Sequence, residues 1–464
     1  MGNSATQLSA SAMVTGHVSI LPPGLSVREH VLHLALPAVG EQMLNLMVGL
    51  VGTFLVGHLG KTPLAAVGLG DQWVLLVSTV LAAISVGSTV VVARAIGGGD
   101  RRMADEVTSH SVTLAALAGL VIAGLGLAFA PQAMRLLGAE PDAAMQGAQY
   151  LRVIALTVPL AALLFVGNAC LRGAGDTRTP LKVMLVANGV NVVAAYSFIY
   201  GAFGLPKLGV VGAALGAAIG RGLGGVLVLA ILMDGRSGLK LTVRTRTMDW
   251  GVVWRILNVG LPAGGEQLLM RIGQISYARI VASLGTAAYA AHVIALSSES
   301  ISFLPGFGFA VAATTLVSQA LGAGKAARAE QYAYASFRVA AAVMSAMGVI
   351  FLLFARPFVS VFTSDAEVIA LATPPLRFIA IAQPFLAGMM VFGGSLRGAG
   401  DTTAAMLITG AGNILVRVPL ALLIVHGLGG GLTGAWVAMA VDLCARCGLA
   451  WLRLRSGKWK EIRV

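Results

Sequence analysis

Apolar residues fill this chain in long, nearly uninterrupted stretches with a few polar positions between them. The first six run near 31 to 56, 66 to 92, 108 to 130, 148 to 170, 180 to 202 and 208 to 233. Six more follow near 254 to 282, 290 to 318, 331 to 354, 373 to 395, 403 to 426 and 431 to 453. Each is long enough for a helix to cross a hydrocarbon core, which takes about 20 apolar residues. In lipid only helices and closed barrels satisfy every backbone hydrogen bond, and runs this long and continuous are not barrel strands. The pattern predicts an all-α integral membrane protein of twelve transmembrane helices. Residues 1–30 contain Pro22-Pro23 and lack a basic, apolar and cleavage-site succession, so no cleavable signal peptide is expected and the first span directs insertion.

Composition agrees with that reading. Only 11% of the residues are charged and mean hydropathy is +0.86, whereas a soluble globular chain carries roughly 25% charged residues. The net charge of +13 matters through its distribution. Arg94, Arg101 and Arg102 follow span two, Arg172, Arg178 and Lys182 follow span four, and Arg236, Lys240, Arg244 and Arg246 join spans six and seven. Lys325, Arg328, Arg397, Arg453, Arg455, Lys458, Lys460 and Arg463 continue the series, while the opposite loops hold little beyond Lys61, Arg135, Lys207 and Arg356. The positive-inside rule then places both termini and the central linker in the cytoplasm, in a plasma (inner) membrane. Basic residues spread along one membrane face, without a patch of stacking aromatics, argue against nucleic acid as a partner. Cys170, Cys444 and Cys447 fall inside spans and read as packing, and the His residues show no metal-ligand spacing.

The chain also repeats itself. Shifted by 225 residues, Pro37-Ala38 and Gly40-Glu41-Gln42 fall on Pro262-Ala263 and Gly265-Glu266-Gln267. Leu171-Arg172-Gly173-Ala174-Gly175-Asp176-Thr177 recurs unchanged from Leu396 to Thr402, and Asn188 meets Asn413. Register slips only near the fifth-to-sixth loop, where Gly212-Ala213 meets Gly434-Ala435. Six helices are an even number, so both copies enter the membrane in the same sense and form a parallel repeat. The expected divisions are a cytoplasmic tail at 1–30, a first lobe at 31–233, a polar linker at 234–253, a second lobe at 254–455 and a cytoplasmic tail at 456–464. In the repeated loop the glycines suit a left-handed helix end, and the Asp or Thr suits the cap of the next helix. Gly97-Gly98-Gly99 and Gly322-Ala323-Gly324 are not phosphate loops, because no Gly-Lys-Ser/Thr follows them.

Ionisable side chains within spans cost roughly 2.5 to 3.5 kcal/mol at the centre on insertion scales, so each calls for a reason. Glu41 and Asn45 stand one turn apart on span one beside Gln42, and their counterparts on span seven are Glu266 and Gln267, followed by Arg271, Gln274 and Tyr277. The repeat puts the two glutamates at equivalent depth, facing a central cleft. They are either held by local hydrogen bonds or a basic partner, or used to bind and release a proton or cation as access alternates. Glu299 lies in Ser297-Ser298-Glu299-Ser300 and has no acidic counterpart in the first half. Asp442 and Arg446 have the spacing of an intrahelical ion pair. Arg417 replaces Val192 of the first half, and its partner is open.

The repeat, the Leu-Arg-Gly-Ala-Gly-Asp-Thr loops and the acid-free stretch from Pro305 to Gly324 together resemble the multidrug and toxic compound extrusion (MATE) family across residues 30 to 455. The resemblance implies a V-shaped pair of six-helix lobes and export of organic cations or amphipathic drugs in exchange for H⁺ or Na⁺, with no other cofactor and no enzymatic activity. Many members carry an acid in a Val-Asp-Thr run late in span one, where this chain has Val51-Gly52-Thr53, and a glutamate on span seven where it has Met270. Glu266 and Glu299 are therefore the expected coupling groups, with Glu41 as a cavity carboxylate. Gln42, Asn45, Gln267, Arg271, Gln274, Tyr277, Asn188 and Asn413 are the expected cavity lining. A small-molecule cargo and membrane lipids are the expected partners of a monomer. A flippase for a lipid-linked sugar and an exporter of a native metabolite are the competing readings.

Overall fold

The computed structural model describes residues 24–235, 237–241, 248–462 and 464. Residues 1–23 with Pro22 and Pro23, and Arg236, Arg244, Arg246 and Arg463, lie outside the described residues. Six helices form the first half: α1 (Val27–Gly57), α2 (Lys61–Gly97), α3 (Arg101–Leu136), α4 (Pro141–Ala174), α5 (Arg178–Tyr200) and α6 (Val210–Asp234). Six form the second: α7 (Trp250–Ala282), α8 (Thr286–Gly322), α9 (Ala326–Ser360), α10 (Ala366–Gly398), α11 (Thr402–Gly427) and α12 (Gly431–Arg455). All but α7 are long and apolar enough to cross a membrane on composition alone. That helix carries Arg255, Glu266, Arg271 and Arg279 spread along its length.

Duplication shows in the helix lengths. Both α2 and α8 have 37 residues, which at 1.5 Å per residue makes them about 55 Å long, well beyond the roughly 30 Å hydrocarbon core. Small residues let the helices approach closely. Gly212, Gly216 and Gly220 recur every fourth residue on α6, and a Cβ on each would run into the α5 backbone at Phe198, Ala195 and Ala187. On another face of α6, a Cβ on Gly225 would meet the Leu160 carbonyl of α4.

The repeated loop behaves as its sequence predicts in the first copy. Gly175 ends α4 at φ +98°, and Asp176 Oδ1 accepts from the backbone N–H of Arg178 and Thr179 at 3.1 and 2.9 Å, capping α5. In the second copy Gly400 keeps its positive φ of +85°, but Asp401 turns to Arg453, whose Nε donates to Oδ2 at 2.7 Å. A larger departure is α11, which widens into π-helical turns at Ala411–Arg417 and Leu423–Gly427, whereas α5 is regular. Such turns often mark functional positions. Here the first one carries Asn413 and Arg417.

Contact between the halves concentrates at one end. Val31, Leu34 and Ala35 at the start of α1 belong to the apolar core of the second half. Val464 packs against the core of the first half, while the fully buried Trp459 lies in that of the second. The segment after α12 thus straps the two halves together at the end where the basic loops lie.

Candidate functional site

The interface at that end is built on repeat-related residues. A Cβ on Gly97 would collide with the Gln319 carbonyl, and one on Gly322 with the Arg94 carbonyl. Gly97 and Gly322 correspond under the 225-residue shift, as do Arg94 and Gln319, so α2 and α8 meet in a pseudo-twofold contact. Hydrogen bonds cross nearby. Ser318 Oγ donates to the Val90 carbonyl at 2.9 Å, Gln319 Nε2 to Gly173 at 2.9 Å, Thr315 Oγ1 to Arg172 at 3.1 Å, and Arg94 Nη2 to Ala399 at 2.8 Å.

Beyond this closed end lies a cavity of about 1270 Å³ that reaches Val56, Leu136 and Ile199 near the opposite ends of α1, α3 and α5. It takes most of its wall from the first half and the remainder from α7, α8, α10, α11 and α12. Its volume exceeds the 300–1,000 Å³ typical of small-molecule sites. Along α2, Val67, Asp71, Val74, Ser78, Leu81 and Ser85 face the cavity at helical spacing.

Of the residues singled out from sequence, Glu41, Gln42, Asn45, Asn188, Glu266 and Gln267 line this cavity, with Asn188 Nδ2 3.4 Å from Asn45 Oδ1. Gly52 and Met270 line it as well, and a Cβ on Gly52 would meet nothing within 4 Å, so the missing acid reflects sequence rather than lack of room. Arg271 and Gln274 are exposed beside each other, 3.2 Å apart, and stand outside the lining.

Both glutamates have arginine partners. Arg172 Nη1 donates to Glu41 at 2.9 and 3.1 Å, and Arg397 Nη1 donates to Glu266 at 2.8 Å. Partner and glutamate are 131 residues apart in each half, because the arginines are those of the repeated heptapeptide. Its second residue therefore serves the cavity, while Gly175 and Gly400 serve the turn. Glu266 also accepts from Thr409 Oγ1 at 2.9 Å, a bond with no equivalent in the first half, where Met184 stands.

Glu299, Tyr277 and Asn413 lie apart from the cavity, in a polar cluster inside the second half. Asp442, with no exposure, accepts from Arg446 Nε and Nη2 at 2.8 and 2.6 Å and from Arg417 Nε at 2.9 Å. The intrahelical pair is as expected, and the open partner of Arg417 is the same carboxylate. The Arg417 guanidinium lies 5.7 Å from the Tyr277 ring centre, His292 accepts from Trp436 Nε1 at 3.1 Å, and the Arg417 charge acts on the buried Glu299. Tyr277 Oη and both amide atoms of Asn413 are buried without a hydrogen-bond partner among the described residues. Buried polar atoms in that state are unusual.

Three cavity residues escaped the sequence pattern: Asp71 on α2, Tyr150 on α4 and Arg221 on α6. An acid in the apolar run around Leu69-Gly70-Asp71 was the available signal.

Two parallel six-helix halves meeting at one end around a cavity large enough for a small molecule are the architecture of a multi-pass transport protein. A MatE family model matches residues 37–197 and again 262–423, once in each half, and the chain belongs to this family of MATE efflux transporters. It is 34% identical to the probable multidrug resistance protein NorM of Thermotoga maritima, over 94% of both chains. It is 26% identical to the uncharacterized transporter YisQ of Bacillus subtilis, over 91% of this chain and 93% of that one. Among solved structures it matches an outward-facing multidrug resistance MATE transporter of the MOP superfamily, with a TM-score of 0.88 at 24% identity over 94% of this chain and 98% of the other. A MOP superfamily transporter from Pyrococcus furiosus, described by the reverse polarity of its binding pocket, matches with the same score and coverage.

Proposed function

We propose that this protein is a secondary active exporter that moves organic cations or amphipathic drugs out across the plasma (inner) membrane in exchange for H⁺ or Na⁺. The observation that carries the reading is a large, mainly apolar cavity, shut at the basic-loop end, with two carboxylates held by arginines on its wall. With the basic loops and both termini in the cytoplasm, the shut end is the inner one and the structure is outward-facing. Glu266, Glu299 and Glu41 serve as the coupling carboxylates. An ion that takes Glu266 releases Arg397 and Thr409, both of which tie α7 to neighbouring helices, so occupancy and helix packing are linked. Gln42, Asn45, Gln267 and Asn188 offer adaptable hydrogen bonds to cargo, and the chain acts as a monomer surrounded by lipid.

Of the four cavity arginines, Arg172 and Arg397 are each paired with a glutamate and Arg446 shares Asp442 with Arg417, which leaves Arg221 without a carboxylate within 4 Å among the described residues and weighs against the strongly cationic wall that a flippase for a lipid-linked sugar needs. Efflux of a fluorescent organic cation from proteoliposomes, under an imposed proton gradient and separately a sodium gradient, tests the proposal. Transport driven by one gradient supports it and names the ion. No transport under either, with protein correctly inserted, sinks it.

A further inference from the structure

Seven carboxylate or guanidinium side chains line the cavity: Glu41, Asp71, Arg172, Arg221, Glu266, Arg397 and Arg446. Five of them sit in ion pairs within 4 Å, with each other or with Asp442. The two left over are Asp71 and Arg221. Asp71 accepts from Tyr150 Oη through Oδ1 at 2.8 Å, and neither its second oxygen nor any guanidinium nitrogen of Arg221 has a hydrogen bond or ion pair among the described residues. Ala217, one turn before Arg221, packs in one apolar cluster with Tyr150, Trp73 and Val74, so the guanidinium and the carboxylate stand on one part of the cavity wall, beyond ion-pair distance of each other.

This corner of the first half is deliberately held. Tyr150 is buried, and a Cβ on Gly70 would come within 2.7 Å of its ring, so the glycine beside Asp71 is what admits the tyrosine. Tyr150 thereby orients one carboxylate oxygen, and the rest of an exposed Asp71 side chain faces the cavity. Arg221 follows Ala213 and Ala217 at four-residue spacing on the face of α6 that lines the cavity. Apolar and aromatic surface from Trp73, Val74, Phe129 and Phe165 lies on the same cavity wall.

A simple cation bound at Asp71 would feel the repulsion of Arg221. A molecule carrying charges of both signs would satisfy both groups at once, in the arrangement each side chain already presents. We propose that Asp71 and Arg221 form a two-point cargo site in the first half, Asp71 taking the cationic centre and Arg221 the anionic group of an amphipathic zwitterion. The proposal rests on the exporter reading and divides labour within it: the arginine-paired glutamates handle the coupling ion, and the unpaired carboxylate handles cargo.

Tetramethylrhodamine, a zwitterion, and its cationic methyl ester differ only at the carboxylate and make matched probes. Their binding to the purified protein in lipid nanodiscs is followed by fluorescence anisotropy. The native protein binds the free acid more tightly than the ester. Asp71→Asn, which still accepts from Tyr150, weakens both by roughly tenfold or more, as loss of a charge-assisted contact implies. Arg221→Met brings the two dyes to equal affinity, and Asp71→Glu keeps the native preference. Native affinities in Asp71→Asn, or a native protein that prefers the ester, overturn the site while leaving the exporter reading standing. Failure of the native protein to bind either dye overturns both.

Discussion

The contact that closes the cavity makes a sharp prediction, because it depends on two glycines that cannot yield. In Gly322→Ala the added Cβ meets the Arg94 carbonyl oxygen, with the carbonyl carbon 2.9 Å and the Cα 3.1 Å away. These are backbone atoms of α2, so no side-chain rotation relieves the clash and the helices must move apart. Overpacking of this kind costs about 1–3 kcal/mol. At 1.4 kcal/mol per factor of ten, the closed form loses about 5- to 150-fold against forms in which α2 and α8 have separated. Gly97→Ala should act in the same direction through the Gln319 carbonyl, and because the two sites are in contact their effects should not simply add. Spin labels on cysteines at Arg101 and Lys325, exposed residues on opposite halves at the closed end, report the separation by pulsed electron resonance once Cys170, Cys444 and Cys447 are replaced. The expected result is a second, longer distance population in either glycine variant. Gly68→Ala is the control, since a Cβ there meets nothing within 4 Å. A Gly322→Ala distribution identical to that of the native protein would refute the closure argument.

Other perturbations test separate parts of the structure. Glu266→Gln keeps an acceptor for Arg397 and Thr409 but cannot titrate, so coupled transport in proteoliposomes should be abolished at unchanged expression; exchange at the native rate would dismiss Glu266 as a coupling group. Asp442→Asn leaves Arg417 and Arg446 buried without a counter-charge, a loss on the order of 3–5 kcal/mol, and should lower the thermal unfolding midpoint of the purified protein by several degrees; an unchanged midpoint would contradict it. Trp459→Ala removes a fully buried ring, about 3–5 kcal/mol in a core, and should expose the segment after α12 to limited proteolysis. That variant should also lengthen the spin-label distance, because Arg94 Nη2 donates to the Ile462 carbonyl of the same segment at 3.3 Å.

Hydropathy alone was enough to mark twelve helices, since a backbone in lipid has little other choice. The 225-residue repeat added more than a helix count. It implied that contacts of one half can recur in the other, and the paired Glu41–Arg172 and Glu266–Arg397 bridges and the mirrored Gly97 and Gly322 contacts are of that kind. What the repeat could not say was which residues meet. The heptapeptide read as a turn, and a turn it is at Gly175 and Asp176, yet its arginine reaches a glutamate on another helix.

Residues that break the repeat were the hardest to place. Tyr277 and Asn413 were expected in the cavity lining and Glu299 as a coupling group, because they are polar and lie in spans; none of the three is in the lining, and Tyr277 instead packs beside Arg417, which is held by Asp442. Asp71 and Arg221 are a single acid and a single base on helices 150 residues apart in sequence, and only packing brings them into one cavity. The sequence by itself determined the membrane class, the helix count and the duplication, because these follow from solvent and from self-similarity along the chain. Tertiary structure alone decided which charges are paired, which stand free and at which end the halves touch, because those depend on helix rotation and distance, which hydropathy does not encode.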